Sequence, residues 1–204
     1  AIDDKSSYGL TATEAVLKIR GPKGTKVKLT IVRDAKQQLD FTITRDTIHV
    51  PSVESKVLEG NIGYMQVSQF SDDTDELALK VAQSFREAGV NKVILDLRDN
   101  PGGEVSAAVG ISGLWLKNGQ TVVQQRRGNT TYATDAVSGS TSPLRGVKTV
   151  VLMNGGSASA SEIVALALRD AAGARIIGEK SYGKGVVQQL VSFDDGSSLK
   201  VTIG

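Results

Sequence analysis

Short apolar runs alternate with longer amphipathic segments from about residue 60 to the end of the chain. Continuous or period-two apolar patterns predict strands, whereas apolar residues at every third or fourth position predict helices. The strand segments are 63–67, 92–97, 121–127, 130–133, 147–153 and 175–178, and the helical segments are 74–87, 105–116 and 161–171. Strands that alternate with helices indicate βαβ units, so we predict an α/β layered core.

The last stretch of the chain predicts a hairpin. Residues 186–193 and 198–203 read as strands on either side of Asp194, Asp195 and Gly196. Acidic residues followed by glycine are a common turn signal between antiparallel strands. We therefore expect the two segments to pair with each other.

The first 45 residues show a different order of elements. Residues 13–20 have helical spacing, and Thr11 or Thr13 is the expected cap. Alternating apolar residues around Leu29 and Phe41 predict two strands after this helix. Such a helix–strand–strand piece is a small α+β unit, too short for a full core. The sequence thus divides into an N-terminal unit at 1–45, a linker at 46–60 and a main domain at 61–204.

The composition limits the classes of function. The chain has 204 residues, a formal net charge of +2 and no long basic run, so nucleic acid is not an expected partner. It contains no cysteine, which excludes disulfides, thiol catalysis and cysteine metal sites. No run of about 18 apolar residues occurs, so the sequence predicts no transmembrane helix in this chain.

The chain contains a single histidine, His49, which lies among apolar residues close to a proline. We interpret it as a structural or surface residue. Without a catalytic histidine there is no Ser-His-Asp triad, and a zinc site would have at most one imidazole. A hydrolase with this sequence must therefore use a carboxylate, a lysine or an N-terminal amine as its base.

Residues 178–185, GEKSYGKG, match parts of two known motifs. A nucleotide-binding P-loop needs Ser or Thr after its lysine and then a helix, but Gly185 follows Lys184 and the next residues predict a strand. An S-x-x-K nucleophile at Ser181 needs a helical turn, which the flanking glycines disfavour, and no K-T-G occurs. From this segment alone, Lys184 is an ordinary solvated lysine.

A second candidate segment is NGGSASASEI, residues 154–163. It follows a predicted buried strand and opens a helix, and reactive groups gather at such carboxyl ends of strands. Backbone N–H groups at a helix start can also stabilise a negative oxygen. The segment contains Ser157, Ser159 and Ser161, of which Ser161 is the expected helix cap. A purely structural role for all three serines stays open at this stage.

Three motifs together resemble those of the carboxyl-terminal processing peptidases, also called tail-specific proteases: LDLRDNPGG at 95–103, NGGSASASEI at 154–163 and GEKSYGKGVVQQ at 178–189. The resemblance runs from about residue 7 to the end of the chain. It implies a Ser/Lys dyad on a core akin to the crotonase and Clp protease folds. It also implies protein or peptide substrates with apolar C-termini and an extracytoplasmic location, in the periplasm, cell envelope or an equivalent lumen, and it leaves the oligomeric state open.

The resemblance assigns the nucleophile to Ser159, the general base to Lys184 and an assisting role to Gln188. An ordinary lysine amine is protonated at neutral pH, and an apolar pocket favours the neutral amine, which can accept a proton. Ser159 would attack the peptide carbonyl and pass its proton to Lys184, which returns it to the leaving amine. On a strand, Gln188 would share a face with Lys184 and orient it.

The oxyanion hole implied by the resemblance consists of two backbone N–H groups. One belongs to Ala160, and the other to a glycine in 100–103, with Gly103 preferred to Gly102. Preorganised N–H donors of this kind stabilise the tetrahedral intermediate of acyl transfer. The implied chemistry needs no metal and no organic cofactor.

Residues 1–33 resemble the carboxyl half of a PDZ domain, which in this family captures substrate C-termini and gates the protease. The half with the carboxylate-binding loop would precede Ala1, and the family pattern continues beyond Gly204, so we expect truncation at both ends. Arg20 is expected either to link the PDZ remnant to the core or to be solvated.

Two alternatives use the same fold: a non-catalytic PDZ-bearing scaffold or binding protein, and an acyl-CoA-handling relative of the crotonases. The presence of Ser159, Lys184 and Gln188 together argues against the scaffold protein. The Ser/Lys dyad and the PDZ remnant argue against the acyl-CoA relative.

Overall fold

The computed structural model describes residues 1–34, 37–48 and 50–203, and His49 lies outside this part of the chain. The chain forms two compact units, Ala1–Val50 and Pro51–Gly204. The first unit contains helix α1 (Ala12–Ile19) and strands β1 (Lys26–Arg33) and β2 (Gln37–Thr44). Both predicted strands are present, and they pair with each other in antiparallel register.

Helix α1 begins with a capping box. Of the two predicted caps, Thr11 is the one used: its Oγ1 accepts the Glu14 N–H at 3.3 Å, and its own N–H donates to Glu14 Oε2 at 2.8 Å. Among the described residues of this unit, the buried apolar side chains are Ile2 and Val27. A unit with so few buried side chains has little core of its own, in line with the prediction from its length.

The second unit is built from nine strands and three helices within the described residues. In chain order they are β3 (Val53–Leu58), β4 (Ile62–Val67), α2 (Thr74–Glu87), β5 (Lys92–Asp96), α3 (Val105–Gly113), β6 (Thr121–Arg127), β7 (Thr130–Ala136), β8 (Lys148–Met153), α4 (Ala160–Ala172), β9 (Arg175–Gly178), β10 (Gln188–Ser192) and β11 (Ser198–Thr202). Five strands form one sheet in the order β3-β4-β5-β8-β9, in which only the β3–β4 pair is antiparallel. The remaining strands form two hairpins, β6–β7 and β10–β11.

The predicted α/β order is confirmed, because strands β4, β5, β8 and β9 run parallel and alternate with helices. The core lies where these helices cover the sheet, around Met65, Leu95, Val151, Phe85 and Leu168. Among the described residues, no helix is both long and apolar enough to cross a lipid bilayer.

Several predicted boundaries differ from the structure. Strand β7, predicted at 130–133, runs to Ala136. The linker expected at 46–60 is shorter, because residues 53–58 form the edge strand β3, whose side chains are mostly exposed. Helix α3 ends at Gly113 rather than at residue 116. Trp115 and Leu116 are buried all the same, in the turn that follows. Because these two residues are buried although they are not helical, the apolar sequence pattern continues past the end of the helix.

Candidate active site

The first two motifs meet at the carboxyl ends of two neighbouring parallel strands. Strand β5 leads into residues 97–103, and strand β8 leads into residues 154–159. The Ser157 hydroxyl donates to the Leu97 carbonyl at 2.7 Å, and the Asp99 N–H donates to Asn154 Oδ1 at 2.9 Å. These contacts join the two loops into one surface at the edge of the sheet.

A buried carboxylate supports the first loop from the sheet side. Asp96 is 1% exposed and accepts hydrogen bonds from the Arg98 N–H, from its guanidinium and from the Tyr64 hydroxyl. Burial acts to raise the pKa of Asp96, but the bonds from Arg98 and Tyr64 outweigh it and hold the pKa below its usual value. The start of the loop is therefore anchored by a charged group with several partners.

Ser159 occupies the turn between strand β8 and helix α4 and is the N-cap of that helix. Its backbone has φ +54° and ψ −115°, a region that side-chain-bearing residues rarely adopt. Such a conformation costs on the order of 1–3 kcal/mol and is found chiefly where function maintains it. A strained serine between a strand and a helix start is the geometry that exposes a nucleophile at the top of a sheet.

The neighbouring serines have structural hydrogen bonds instead. Ser157 and Ser161 are fully buried, and their hydroxyls donate to the carbonyls of Leu97 and Asn100 at 2.7 and 3.0 Å. The prediction that Ser161 caps the helix is wrong, because helix α4 begins one residue earlier and Ser159 is its cap. A helix start cannot be located to one residue in a run of alternating Ser and Ala from propensity alone.

The third motif brings Lys184 and Gln188 to the same place. Lys184 Nζ donates to Gln188 Oε1 at 3.0 Å. Lys184 lies before strand β10, so the contact does not arise from two residues on one strand face, as the sequence argument had assumed. Among the described residues, no hydrogen bond joins Lys184 Nζ to Ser159 Oγ, but both side chains line one cavity of about 990 Å³.

Sequence reasoning missed Glu162, whose carboxylate connects the turn at Ser159 to the loop that carries Lys184. Oε2 accepts the N–H groups of Ser159 and Lys184 at 2.8 and 3.0 Å, and Oε1 accepts the Ser181 hydroxyl and the Gly183 N–H, both at 2.7 Å. Burial acts to raise the pKa of Glu162, but these four hydrogen bonds outweigh it and lower the pKa. An acidic residue three positions after a serine at a helix start is a capping-box signal that would have identified it.

Two glycines and one helix N–H lie next to Ser159. A Cβ on Gly102 would be 2.7 Å from Ser159 Cβ and 3.0 Å from the Ala160 nitrogen, so the two loops are in direct contact. Gly103 has φ +148°, and a Cβ there would lie 1.9 Å from the Phe70 carbonyl oxygen. Both positions exclude any larger residue.

The backbone N–H groups at this contact differ in their partners. The Gly102 N–H donates to Asn100 Oδ1 at 2.9 Å. Within the described part of the chain, the N–H groups of Gly103 and Ala160 make no hydrogen bond. Ala160 is buried, and a buried donor without an acceptor is rare in folded proteins.

The cavity walls are largely apolar. Beyond Ser159, Lys184 and Gln188, the apolar lining comes from helices α3 and α4, strands β6 and β10 and the segment before β10: Val105, Val122, Ile163, Leu166, Val186 and Leu190. Charged side chains at the cavity are Glu104, Glu162, Lys184 and Lys200. Among the described residues, no group of three His, Asp or Glu is arranged to hold a metal ion.

Comparison with known proteins identifies the family of this chain. Residues 61–204 match the profile of peptidase family S41. The chain is 39% identical over 209 residues to the carboxy-terminal processing protease CtpA of Bacillus subtilis (strain 168), in an alignment covering 99% of this chain and 43% of that protein. It is also 39% identical over 202 residues to a probable CtpA-like serine protease of Staphylococcus haemolyticus (strain JCSC1435), covering 98% of this chain and 40% of the relative. The chain thus spans about two fifths of the length of these relatives.

Solved structures show the same mixed α/β fold. The photosystem II D1 C-terminal processing protease superposes with a TM-score of 0.67 at 24% identity, covering 99% of this chain and 56% of that one. A putative S41 protease from Bacteroides fragilis NCTC 9343 has a TM-score of 0.62 at 18% identity, and the superposition covers 86% of this chain and 52% of that one. The family profile covers most of the chain and the curated relatives align over nearly all of it; the chain belongs to peptidase family S41.

Proposed function

We propose that this chain is the catalytic part of a serine endopeptidase that cleaves protein substrates near their C-termini. The observation that carries the proposal is the cavity that collects Ser159, Lys184 and Gln188 beside the unpaired N–H groups of Gly103 and Ala160. This set combines a nucleophile, a base with an orienting partner and two oxyanion donors.

In the proposed reaction, Ser159 Oγ attacks the peptide carbonyl while Lys184 Nζ, as the neutral amine, takes its proton. The negative oxygen that forms is held by the N–H groups of Gly103 and Ala160. Lys184 then returns the proton to the leaving amine, and water hydrolyses the acyl-enzyme in a second cycle of the same steps. Gln188 accepts a hydrogen bond from Nζ and so keeps the amine directed into the cavity.

The apolar cavity walls support substrates with apolar side chains at the cleaved bond, and we extend this to substrates with apolar C-termini. We propose that residues 1–45 are part of a PDZ domain, since their helix and two antiparallel strands have the order expected of its carboxyl half. We further propose a crotonase-like layering of the core and an extracytoplasmic location, both on the family resemblance.

The direct test is replacement of Ser159 by alanine, followed by assay against an unfolded protein with an apolar C-terminus. We expect the rate to fall by about 10⁴ or more, by analogy with knockouts of catalytic triads. Ser84→Ala is the matched control, because Ser84 is exposed on helix α2 and its hydroxyl donates only to the Val81 carbonyl. Near-normal turnover by Ser159→Ala, with a folded protein by circular dichroism, would refute the assignment. A covalent serine-reactive probe that labels the parent protein but not this variant would exclude the non-catalytic alternative.

A further inference from the structure

The two loops that face each other at the nucleophile have the same arrangement of N–H groups. In each loop, one N–H is occupied by a side-chain oxygen and the next along the chain is free: Ser159 before Ala160, and Gly102 before Gly103. Glu162 supplies the first oxygen, and Asn100 supplies the second. Asn100 has no role in the mechanism above.

Asn100 is fully buried and uses both ends of its side-chain amide. Its Nδ2 donates to the Val67 carbonyl at 2.8 Å, at the last residue of strand β4, and its Oδ1 accepts the Gly102 N–H at 2.9 Å. Its main-chain carbonyl accepts the Ala158 N–H and the Ser161 hydroxyl, both at 3.0 Å. One residue therefore ties the glycine loop both to the sheet and to the nucleophile turn.

These contacts decide which glycine N–H is available. A Gly102 N–H bound to Asn100 cannot point at a substrate oxygen, and Gly102 itself is buried whereas Gly103 is exposed. Gly103 is held separately by its bridge to Phe70, whose N–H donates to the Gly102 carbonyl at 3.0 Å and whose carbonyl accepts the Glu104 N–H at 3.0 Å. The Gly103 N–H takes no part in that bridge.

We propose, on the basis of the function proposed above, that Asn100 is the positioning residue of the oxyanion hole: it occupies the Gly102 N–H and so directs the Gly103 N–H at the oxyanion. The chemistry of the site calls for an asparagine. A neutral buried group must donate at one end and accept at the other, and aspartate keeps only the acceptor when ionised. An apolar residue leaves the Gly102 N–H without an acceptor, and the loop is then free to turn that donor toward the cavity.

The test compares Asn100→Ala with Asn100→Asp in kcat and KM, per folded molecule, alongside unfolding curves. Alanine removes the acceptor of the Gly102 N–H, so kcat should fall by about 10²–10³, the usual effect of losing one oxyanion donor, with KM within about threefold because such a donor acts in the transition state. Aspartate keeps the acceptor, so its kcat should stay within about tenfold of the parent, whichever variant is the less stable. Asn118→Asp is the control, because Asn118 also bonds backbone at both ends of its amide, to Ser140, away from the cavity.

A purely structural role predicts that activity follows stability in both Asn100 variants, and that result would overturn the proposal. So would a kcat for Asn100→Ala within threefold of the parent. Amide hydrogen exchange gives a readout without substrate: in the parent, the Gly102 amide should exchange slowly and those of Gly103 and Ala160 faster. In Asn100→Ala, the Gly102 amide should lose its protection from exchange while strand β5 stays protected. Equal exchange rates at Gly102 and Gly103 in the parent would contradict the proposal that Asn100 occupies only the Gly102 N–H. Full activity in Ser159→Ala would refute the proposed function instead, and the exchange pattern would still decide the role of Asn100.

Discussion

Replacing Glu162 by glutamine should weaken the hydrogen bonds that join the turn at Ser159 to the loop that carries Lys184. The carboxylate accepts four hydrogen bonds, two at each oxygen. Glutamine replaces one oxygen with an amide nitrogen that can only donate. If the amide nitrogen replaces Oε2, the N–H groups of Ser159 and Lys184 both lose their acceptor; if it replaces Oε1, the Gly183 N–H loses its acceptor, whereas the Ser181 hydroxyl can rotate and accept from the amide.

The expected loss in the free energy of unfolding follows from the lost hydrogen bonds, of which there are at most two. Hydrogen bonds to a charged group contribute about 1.5–3 kcal/mol each, so the ceiling for two is about 3–6 kcal/mol. Glu162 is only half-buried, so water replaces part of what is lost, and we expect the free energy of unfolding to fall by about 2–3 kcal/mol. Misplacement of the base by about 1 Å should also lower kcat on the order of 10²-fold.

Urea unfolding of Glu162→Gln and the parent measures the stability term, with Glu179→Gln as the control because the Glu179 side chain is exposed in the same loop. The pH dependence gives a second check. The pKa of Glu162 is lowered by folding, so its stabilisation is present above the unfolded pKa of about 4.3 and is lost as pH falls through the folded pKa. The difference between parent and variant should therefore be full near pH 7 and shrink toward acid pH. A variant within about 0.5 kcal/mol of the parent at pH 7, with unchanged kcat, would refute this account of Glu162.

Four further predictions concern separate parts of the chain. Lys184→Arg should be as inactive as Lys184→Ala, because a guanidinium stays protonated; if it retains most of the peptidase rate, the lysine is not the base. Gly102→Ala should lower kcat at least about tenfold, since the new methyl would lie 2.7 Å from the nucleophile's Cβ at φ +97°; Gly119→Ala, at φ +85° with nothing within 4 Å, measures the backbone strain alone. Burial, reinforced by the charge of Glu104, raises the pKa of Asp75 to about 6. The folded state therefore binds this proton more tightly than the unfolded state, so stability should fall as pH rises from about 4 to 6. Asp75→Asn should flatten that part of the plot of melting temperature against pH. Finally, if residues 1–45 are part of a PDZ domain as proposed, fusing a complete PDZ domain upstream should increase the preference for substrates with a free over an amidated C-terminus; an unchanged preference would place the capture site in the core.

The sequence alone determined the elements whose patterns are local. Helix α2 and strand β9 have the predicted bounds, 74–87 and 175–178, because their apolar spacing depends only on neighbouring residues. It also identified the reactive residues as candidates, since the three motifs carry side chains of the right chemistry at strand ends. The prediction missed strand β3, because its side chains are mostly exposed and show no apolar alternation. It made helix α3 too long, because apolar residues buried in the following turn continue the apolar run of the helix.

Only the tertiary structure decided how the candidate groups are connected. Three of the four hydrogen bonds of Glu162 reach residues 19 to 22 positions away, and two of those of Asn100 reach residues 33 and 61 positions away. Such contacts form because parallel strands bring distant loops to one edge of the sheet, and no periodicity records them. For the same reason the sequence left Gly102 and Gly103 as alternatives. The structure distinguishes them because the N–H of Gly102 already has an acceptor, and an occupied donor is unavailable to a substrate oxygen.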